Sequence, residues 1–78
     1  MFDLIESLTI QNILDLGFEC QREGHLYCLP SDDGNKRLLD IHFQDKTICL
    51  SDEGIYKIKA TNMIIKMIKL GYIVKGEE

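Results

Sequence analysis

The amino-acid sequence predicts an α+β fold in which an antiparallel sheet of about four strands packs against a C-terminal helix, with a second, short helix near the N-terminus. Residues 37–50 alternate between apolar and polar side chains on either side of a short polar link, which is typical of a β-hairpin with one buried face. Residues 61–70 instead follow a helical pattern, between a threonine that can cap a helix and a glycine that can end it. A hairpin alone is marginally stable, so the helix and further strands are expected to cover its apolar face. The 78 residues are expected to form one domain, residues 1–78.

The central hairpin has a well-defined buried face and two candidate registers. The residues assigned to the buried face are Leu39, Ile41, Phe43, Ile48 and Leu50, and those assigned to the opposite face are Leu38, Asp40, His42, Thr47 and Cys49. A turn at Gln44–Asp45 pairs Ile41 with Ile48. A turn at Asp45–Lys46 pairs Ile41 with Leu50. Both registers bury the same side chains, so the pattern determines the face and leaves the pairing open.

The N-terminal residues predict a short helix. Thr9 is a favourable N-cap, and Gly17 can adopt the left-handed conformation that ends a helix, so residues 10–16 are expected to be helical. The alternative is one longer helix over residues 3–16.

Residues 18–30 predict a second hairpin, with a three-residue loop at 22–24 and Gly24 in the left-handed region. This register assigns Phe18, Cys20, Leu26 and Cys28 to the buried face. It assigns Glu19, Gln21, His25 and Tyr27 to the other face.

The C-terminal third predicts a short strand at residues 55–58, a helix over residues 61–70, and a final strand or packed tail at Tyr72–Val74. The apolar positions of the helix are Met63, Ile64, Ile65, Met67, Ile68 and Leu70. This apolar stripe is wider than a surface helix needs, so it is interpreted either as a helix buried in its own core or as a surface for a partner.

Charge is distributed unevenly along the chain. The formal net charge is −4, with eleven acidic and four basic residues in 1–55 (−7) and two acidic and five basic residues in 56–78 (+3). The overall acidity argues against direct binding of nucleic acid or of an anionic membrane.

The location expected for the chain is the cytoplasm. The sequence has no apolar run of about 18 residues, so no membrane span is predicted. The acidic N-terminus also does not resemble a secretory signal. Three cysteines are an odd number, which favours free thiols in a reducing compartment.

Cysteine and histidine residues suggest two kinds of reactive site. Cys20, His25 and Cys28 do not have the spacing of a zinc finger, and the predicted register points His25 away from the two cysteines, so neither a metal nor any other cofactor is predicted. His42 and Cys49 leave the core face as possible cross-strand neighbours, but the sequence shows no oxyanion donor beside them. No catalytic residue is therefore assigned, and the chain is not predicted to be an enzyme.

Two groups of residues are predicted to contact a partner protein. The acidic candidates in predicted turns are Asp32, Asp33, Asp45, Asp52 and Glu53. The apolar candidates are Met67, Tyr72 and Ile73. Carboxylates in ordered turns can compete with phosphates for arginine and lysine, so a basic nucleic-acid-binding protein is one expected partner.

The order of short motifs resembles that of small α+β proteins encoded by phages and mobile elements. The residues that carry the resemblance are Leu16–Glu19, Gly24 and Tyr27, then Lys46–Ile48 and the closing helix. Some proteins of that size and origin are inhibitors of bacterial defence systems, including anti-CRISPR proteins, and act by occupying a surface. The resemblance implies an inhibitor that acts in the host cytoplasm. The alternatives are a homodimeric accessory protein and a small metal-binding or thiol-dependent protein.

Overall fold

A computed structural model describes residues 2–51 and 57–76 of the chain. Its elements are β1 (Phe2–Leu4), α1 (Ile10–Asp15), β2 (Glu19–Arg22), β3 (Leu26–Pro30), β4 (Arg37–His42), β5 (Thr47–Leu50), α2 (Ile58–Lys69) and β6 (Ile73–Gly76). The strands form one sheet in the order β2-β3-β4-β5-β1-β6, and all neighbouring pairs are antiparallel. The predicted α+β class and C-terminal helix are confirmed, whereas the described part of the sheet has six strands rather than about four.

The β4–β5 hairpin adopts the first of the two predicted registers. Ile41 pairs with Ile48 and Leu39 pairs with Leu50, with the chain reversing through residues 43–46. Only Leu38 departs from the predicted faces, because it is buried in the core. The register of β3 against β4 shifts just there, and such a bulge interrupts the regular alternation of side chains.

The predicted faces of the β2–β3 hairpin are wrong for β3, although Phe18 and Cys28 are buried as expected. Arg22 pairs with Leu26, so the loop is residues 23–25, one position later than expected. A shift of one residue exchanges the two faces of a strand, and Tyr27 is accordingly buried in the core. Cys28 lies opposite Glu19, on the other face of the sheet. Gly24 is in the left-handed region, with φ +76°, as expected.

Both helices begin with an extended residue, but only α1 begins where the sequence predicted. The Thr9 hydroxyl accepts a hydrogen bond from the amide of Asn12, whose side chain accepts one from the amide of Thr9. The break at Thr9 is therefore confirmed, and residues 2–4 are a strand rather than the start of a longer helix. Helix α2 begins at Ile58, three residues before the predicted start.

The remaining C-terminal predictions have different outcomes. Residues 55 and 56 of the expected short strand lie outside the described residues, and Ile58 is helical. The final strand is confirmed as β6, which pairs with β1. Neither described helix is long and apolar enough to cross a membrane.

The core combines one face of the sheet with the inner sides of both helices. Its fully buried members include Ile13 of α1, Tyr27, Leu29, Leu39, Ile41 and Ile48 of the sheet, and Ala60 and Met67 of α2. The buried tyrosine is satisfied locally, because its hydroxyl accepts a hydrogen bond from the amide of Gly24 at 2.9 Å. We call this sheet face the inner face and the opposite one the outer face.

Candidate functional site

Helix α2 carries apolar side chains on both of its sides. The inner side is buried at Ala60, Ile64 and Met67. The outer side exposes three isoleucines, with 78% of Ile58, 45% of Ile65 and 53% of Ile68 accessible to solvent. Their spacing of seven and three residues places them along one stripe of the helix. The core is thus completed by one side of α2, and the outer isoleucines are left without cover among the described residues.

A parallel stripe of lysines accompanies these isoleucines. Each isoleucine is followed directly by a lysine: Lys59, Lys66 and Lys69. Successive residues of a helix are about 100° apart, so the two stripes lie side by side. Helix α2 contains no acidic residue. We refer to Ile58, Lys59, Ile65, Lys66, Ile68 and Lys69 as the α2 outer face, an apolar strip with positive charge along one edge.

The acidic candidates do not form one patch. Asp32 and Asp33 lie in the β3–β4 loop, whereas Asp45 lies in the β4–β5 loop at the other end of β4. The six residues of β4 separate these ends by roughly 20 Å. Asp52 and Glu53 lie outside the described residues.

The two aspartates of the β3–β4 loop already have local partners. Asp32 Oδ1 lies 3.3 Å from Lys59 Nζ, so part of its charge is neutralised. The carboxylate of Asp33 accepts hydrogen bonds from the Ser31 hydroxyl and the Asn35 amide, which lower the pKa of Asp33. These contacts are local, and both carboxylates remain exposed to solvent.

The apolar candidates are less available than the sequence predicted. Met67 is completely buried, so its side chain cannot contact a partner in this fold. Its assignment to the partner-binding residues is therefore wrong. Tyr72 and Ile73 are half-buried and pack against the core. Sequence analysis assigned Ile58 to a short strand and grouped Ile65 and Ile68 with their buried neighbours, so it did not identify the exposed isoleucines. The repeated isoleucine–lysine pair at 58, 65 and 68 was the signal that distinguishes them.

The outer face of the sheet brings two cysteines beside a carboxylate. Asp40 pairs with Cys28 on one side and Cys49 on the other, and Cys49 Sγ lies 3.9 Å from His42 Nε2. Asp40 Oδ1 is buried without a hydrogen-bond partner, and the nearest charge is Arg37 Nε at 3.7 Å. The predicted proximity of His42 and Cys49 is thus confirmed, although the strands place them diagonally.

The environment of these thiols favours their protonated form. Burial, followed by the negative charge of Asp40, raises the pKa of both Cys28 and Cys49. A protonated thiol is a poor nucleophile and a poor metal ligand. Cys28 and Cys49 are two strands apart, about 10 Å, which is too far for a disulfide. Within residues 2–51 and 57–76, no three histidine, cysteine or acidic side chains are grouped so that they could hold a metal ion.

The raised thiol pKa values predict a loss of stability at alkaline pH. As pH rises through about 8.5, the thiols of the unfolded chain lose protons before those of the folded chain. The stabilisation that results from the raised thiol pKa values is complete below that pH. It decreases above that pH, until the pH reaches the pKa of the thiols in the folded chain. Urea unfolding under reducing conditions at pH 7 and pH 9.5 should show the decrease.

Matched variants test the origin of that decrease. The double variant Cys28→Ala, Cys49→Ala should have a smaller loss between the two pH values than the natural sequence. Cys20→Ala, changed at an exposed thiol, should behave like the natural sequence. An equal loss in the double variant would contradict the assignment to these two thiols.

Comparison with known proteins does not assign the chain to a family. Function is therefore inferred from the chemistry of the described residues. No protein-family model, curated protein or solved structure matches this chain.

Proposed function

We propose that this chain is a protein-binding module that acts without catalysis, by placing the α2 outer face against an apolar groove of another protein. The observation that carries this proposal is the exposure of Ile58, Ile65 and Ile68 on a helix whose other side already completes the core. Covering the exposed part of each isoleucine contributes roughly 1 kcal/mol. Recognition of one amphipathic helix side by a groove is a common mode of protein binding.

The lysine stripe predicts that the partner is negatively charged where it contacts α2. Lys66 and Lys69 are exposed beside the isoleucines, and nothing in α2 offsets their charge. A groove with carboxylates along one edge would attract this face and fix its orientation. The partner expected from the acidic turns, a basic nucleic-acid-binding protein, has less support, because Asp45 lies at the other end of β4 from Asp32 and Asp33 and the three form no single patch.

A second copy of this chain fits the same face less well. A twofold dimer would place the same patch on both sides of the interface. If the twofold axis is perpendicular to α2, the lysine stripes of the two helices lie on the same edge of the interface, where like charges are unfavourable. We therefore favour a foreign partner over the homodimer. An inhibitor encoded by a phage or mobile element is one form that such a module could take.

Photo-crosslinking tests the proposal even when the identity of the partner is unknown. A benzophenone amino acid is placed at position 65 on α2 or, as a control, at position 19 on β2, which is exposed at the opposite edge of the sheet from β6. A protein crosslinked only from position 65 in a lysate of the source or host cell is then purified. Its binding to the unmodified chain is measured by calorimetry at two salt concentrations.

The outcomes separate the alternatives. Saturable binding by the purified partner, weaker at high salt, supports the proposal. Crosslinks only between copies of the chain, together with a dimer in native mass spectrometry, would replace it with the homodimer. Crosslinking from position 19 but not from position 65 would exclude the α2 outer face.

A further inference from the structure

We infer that a cleft on the outer face of the sheet, separate from α2, is a binding site for the phosphate group of a small molecule. The cleft has a volume of about 290 Å³ and lies where the β2–β3 and β4–β5 loops meet. Its lining residues are Arg22, His25, Leu26, His42, Gln44 and Asp45. Helix α2 packs on the inner face, so this site is independent of the proposed protein-binding face.

Strand pairing brings these side chains together. Leu26 pairs with Arg22 on β2 and with His42 on β4, so the three lie in one cross-strand row. The adjacent pair, Tyr27 and Ile41, is buried in the core, which places the row on the outer face. The two loops are joined by a hydrogen bond from the Phe43 amide to the His25 carbonyl at 2.8 Å. The cleft is therefore formed by paired strands and a hydrogen bond between their loops.

The lining is rich in hydrogen-bond donors. Arg22 presents a guanidinium group, Gln44 an amide, and each histidine at least one ring N–H when neutral. Ion pairs in the described part of the chain join Arg37 to Asp40 and Lys59 to Asp32, so the guanidinium of Arg22 has no carboxylate partner there. The imidazole of His25 has no hydrogen bond among those residues, and that of His42 has only the long contact to Cys49 Sγ. These donors are concentrated in one cleft although the chain as a whole has a net charge of −4.

A phosphate group matches this set of donors better than a carboxylate does. It carries a charge of about −1.5 to −2 at neutral pH and presents three strong acceptor oxygens. The planar guanidinium can donate two parallel hydrogen bonds to it, while the imidazoles reach the remaining oxygen. The volume of the cleft is just below the range of about 300–1,000 Å³ that is usual for ligand sites, which favours a small phosphorylated molecule. The carboxylate of Asp45, which also lines the cleft, repels a phosphate group and so lowers the affinity of the site for phosphate.

An NMR titration with inorganic phosphate tests the site. Amide spectra are recorded at pH 7, with phosphate replacing chloride at constant ionic strength. We expect saturable shifts confined to residues 22–26 and 42–45, with a Kd on the order of 1 mM. Acetate, titrated in the same way, should bind several-fold more weakly. Linear shifts spread over the surface, or equal responses to acetate and phosphate, would overturn the inference.

Three variants identify the charged residues that contribute to phosphate binding. Arg22→Gln should weaken phosphate binding on the order of tenfold, because it removes the charged guanidinium that donates two parallel hydrogen bonds. Asp45→Asn should strengthen binding several-fold. Arg37→Gln, changed at the far end of β4, about 16 Å from His42, should leave it unchanged. Unaltered affinity in a folded Arg22→Gln variant, or equal loss in Arg37→Gln, would overturn the site.

Discussion

Replacing Ile41 by alanine is expected to lower the free energy of unfolding by about 3 kcal/mol. Ile41 is fully buried on β4, the strand that lies between β3 and β5. It pairs with Tyr27 on one side and Ile48 on the other, and both are also buried. Truncation would therefore leave a cavity that its neighbours cannot easily fill.

The consequence is large because the domain is small. A chain of 78 residues has a total stability of roughly 4 to 12 kcal/mol, so this one change removes a substantial fraction of it. Urea denaturation followed by circular dichroism measures the effect. The matched control is Ile65→Ala, the same chemical change on the solvent side of α2, which should alter stability by less than about 1 kcal/mol. Comparable losses in both variants would show that the outer side of α2 is not exposed as described.

Alternation predicted the faces of β4 and β5, apart from that of Leu38, because both strands carry apolar residues at every second position. Ile41, Ile48 and Leu50 allow only one side of the hairpin to be buried. The residues of the β2–β3 hairpin indicate less clearly which face is buried. Cysteine is tolerated on either face, and the expected loop at residues 22–24 assigned Tyr27 to the face opposite the core. Its ring is nevertheless buried, because the hydroxyl finds the amide of Gly24.

Elements that depend on distant partners were not predictable from local patterns. Strand β1 has only three residues, and its partners β5 and β6 are more than 40 residues away in sequence. The start of α2 was missed because Lys57 makes no side-chain cap. Thr61 has the residue type of a cap, yet it lies inside the helix, where its hydroxyl donates to the Lys57 carbonyl at 3.5 Å.

The apolar surplus of the C-terminal helix was predictable, but its location was not. Placing the helix start at residue 61 removed Ala60 from the pattern. Ala60, Ile64 and Met67 together define the buried side. When Ala60 is left out of the helical pattern, the pattern does not separate the buried Met67 from the exposed Ile65 and Ile68. The phosphate cleft was beyond sequence reasoning for a similar reason, since Arg22 and His42 meet only through the pairing of three strands.

The double substitution Ile65→Asp, Ile68→Asp is expected to weaken binding of the partner identified from position 65 by at least about 100-fold. Both side chains are exposed, so the fold should survive; aspartate costs at most about 0.7 kcal/mol per position in helix propensity. In the complex, each new carboxylate would lie in an apolar groove whose edge is itself acidic. Desolvation and repulsion therefore act together against binding.

Two further variants separate the apolar contribution from the electrostatic one. Leu14→Asp makes the same kind of change on α1, at a leucine that is 40% exposed, and should leave affinity unchanged. Lys66→Gln with Lys69→Gln should reduce affinity modestly and flatten its dependence on salt, because exposed charges contribute mainly to steering and orientation. Affinity retained by the double aspartate variant, or lost equally in Leu14→Asp, would mean that the isoleucine stripe is not the contact. Steep salt dependence retained in the lysine variant would place the electrostatic contact elsewhere on the molecule.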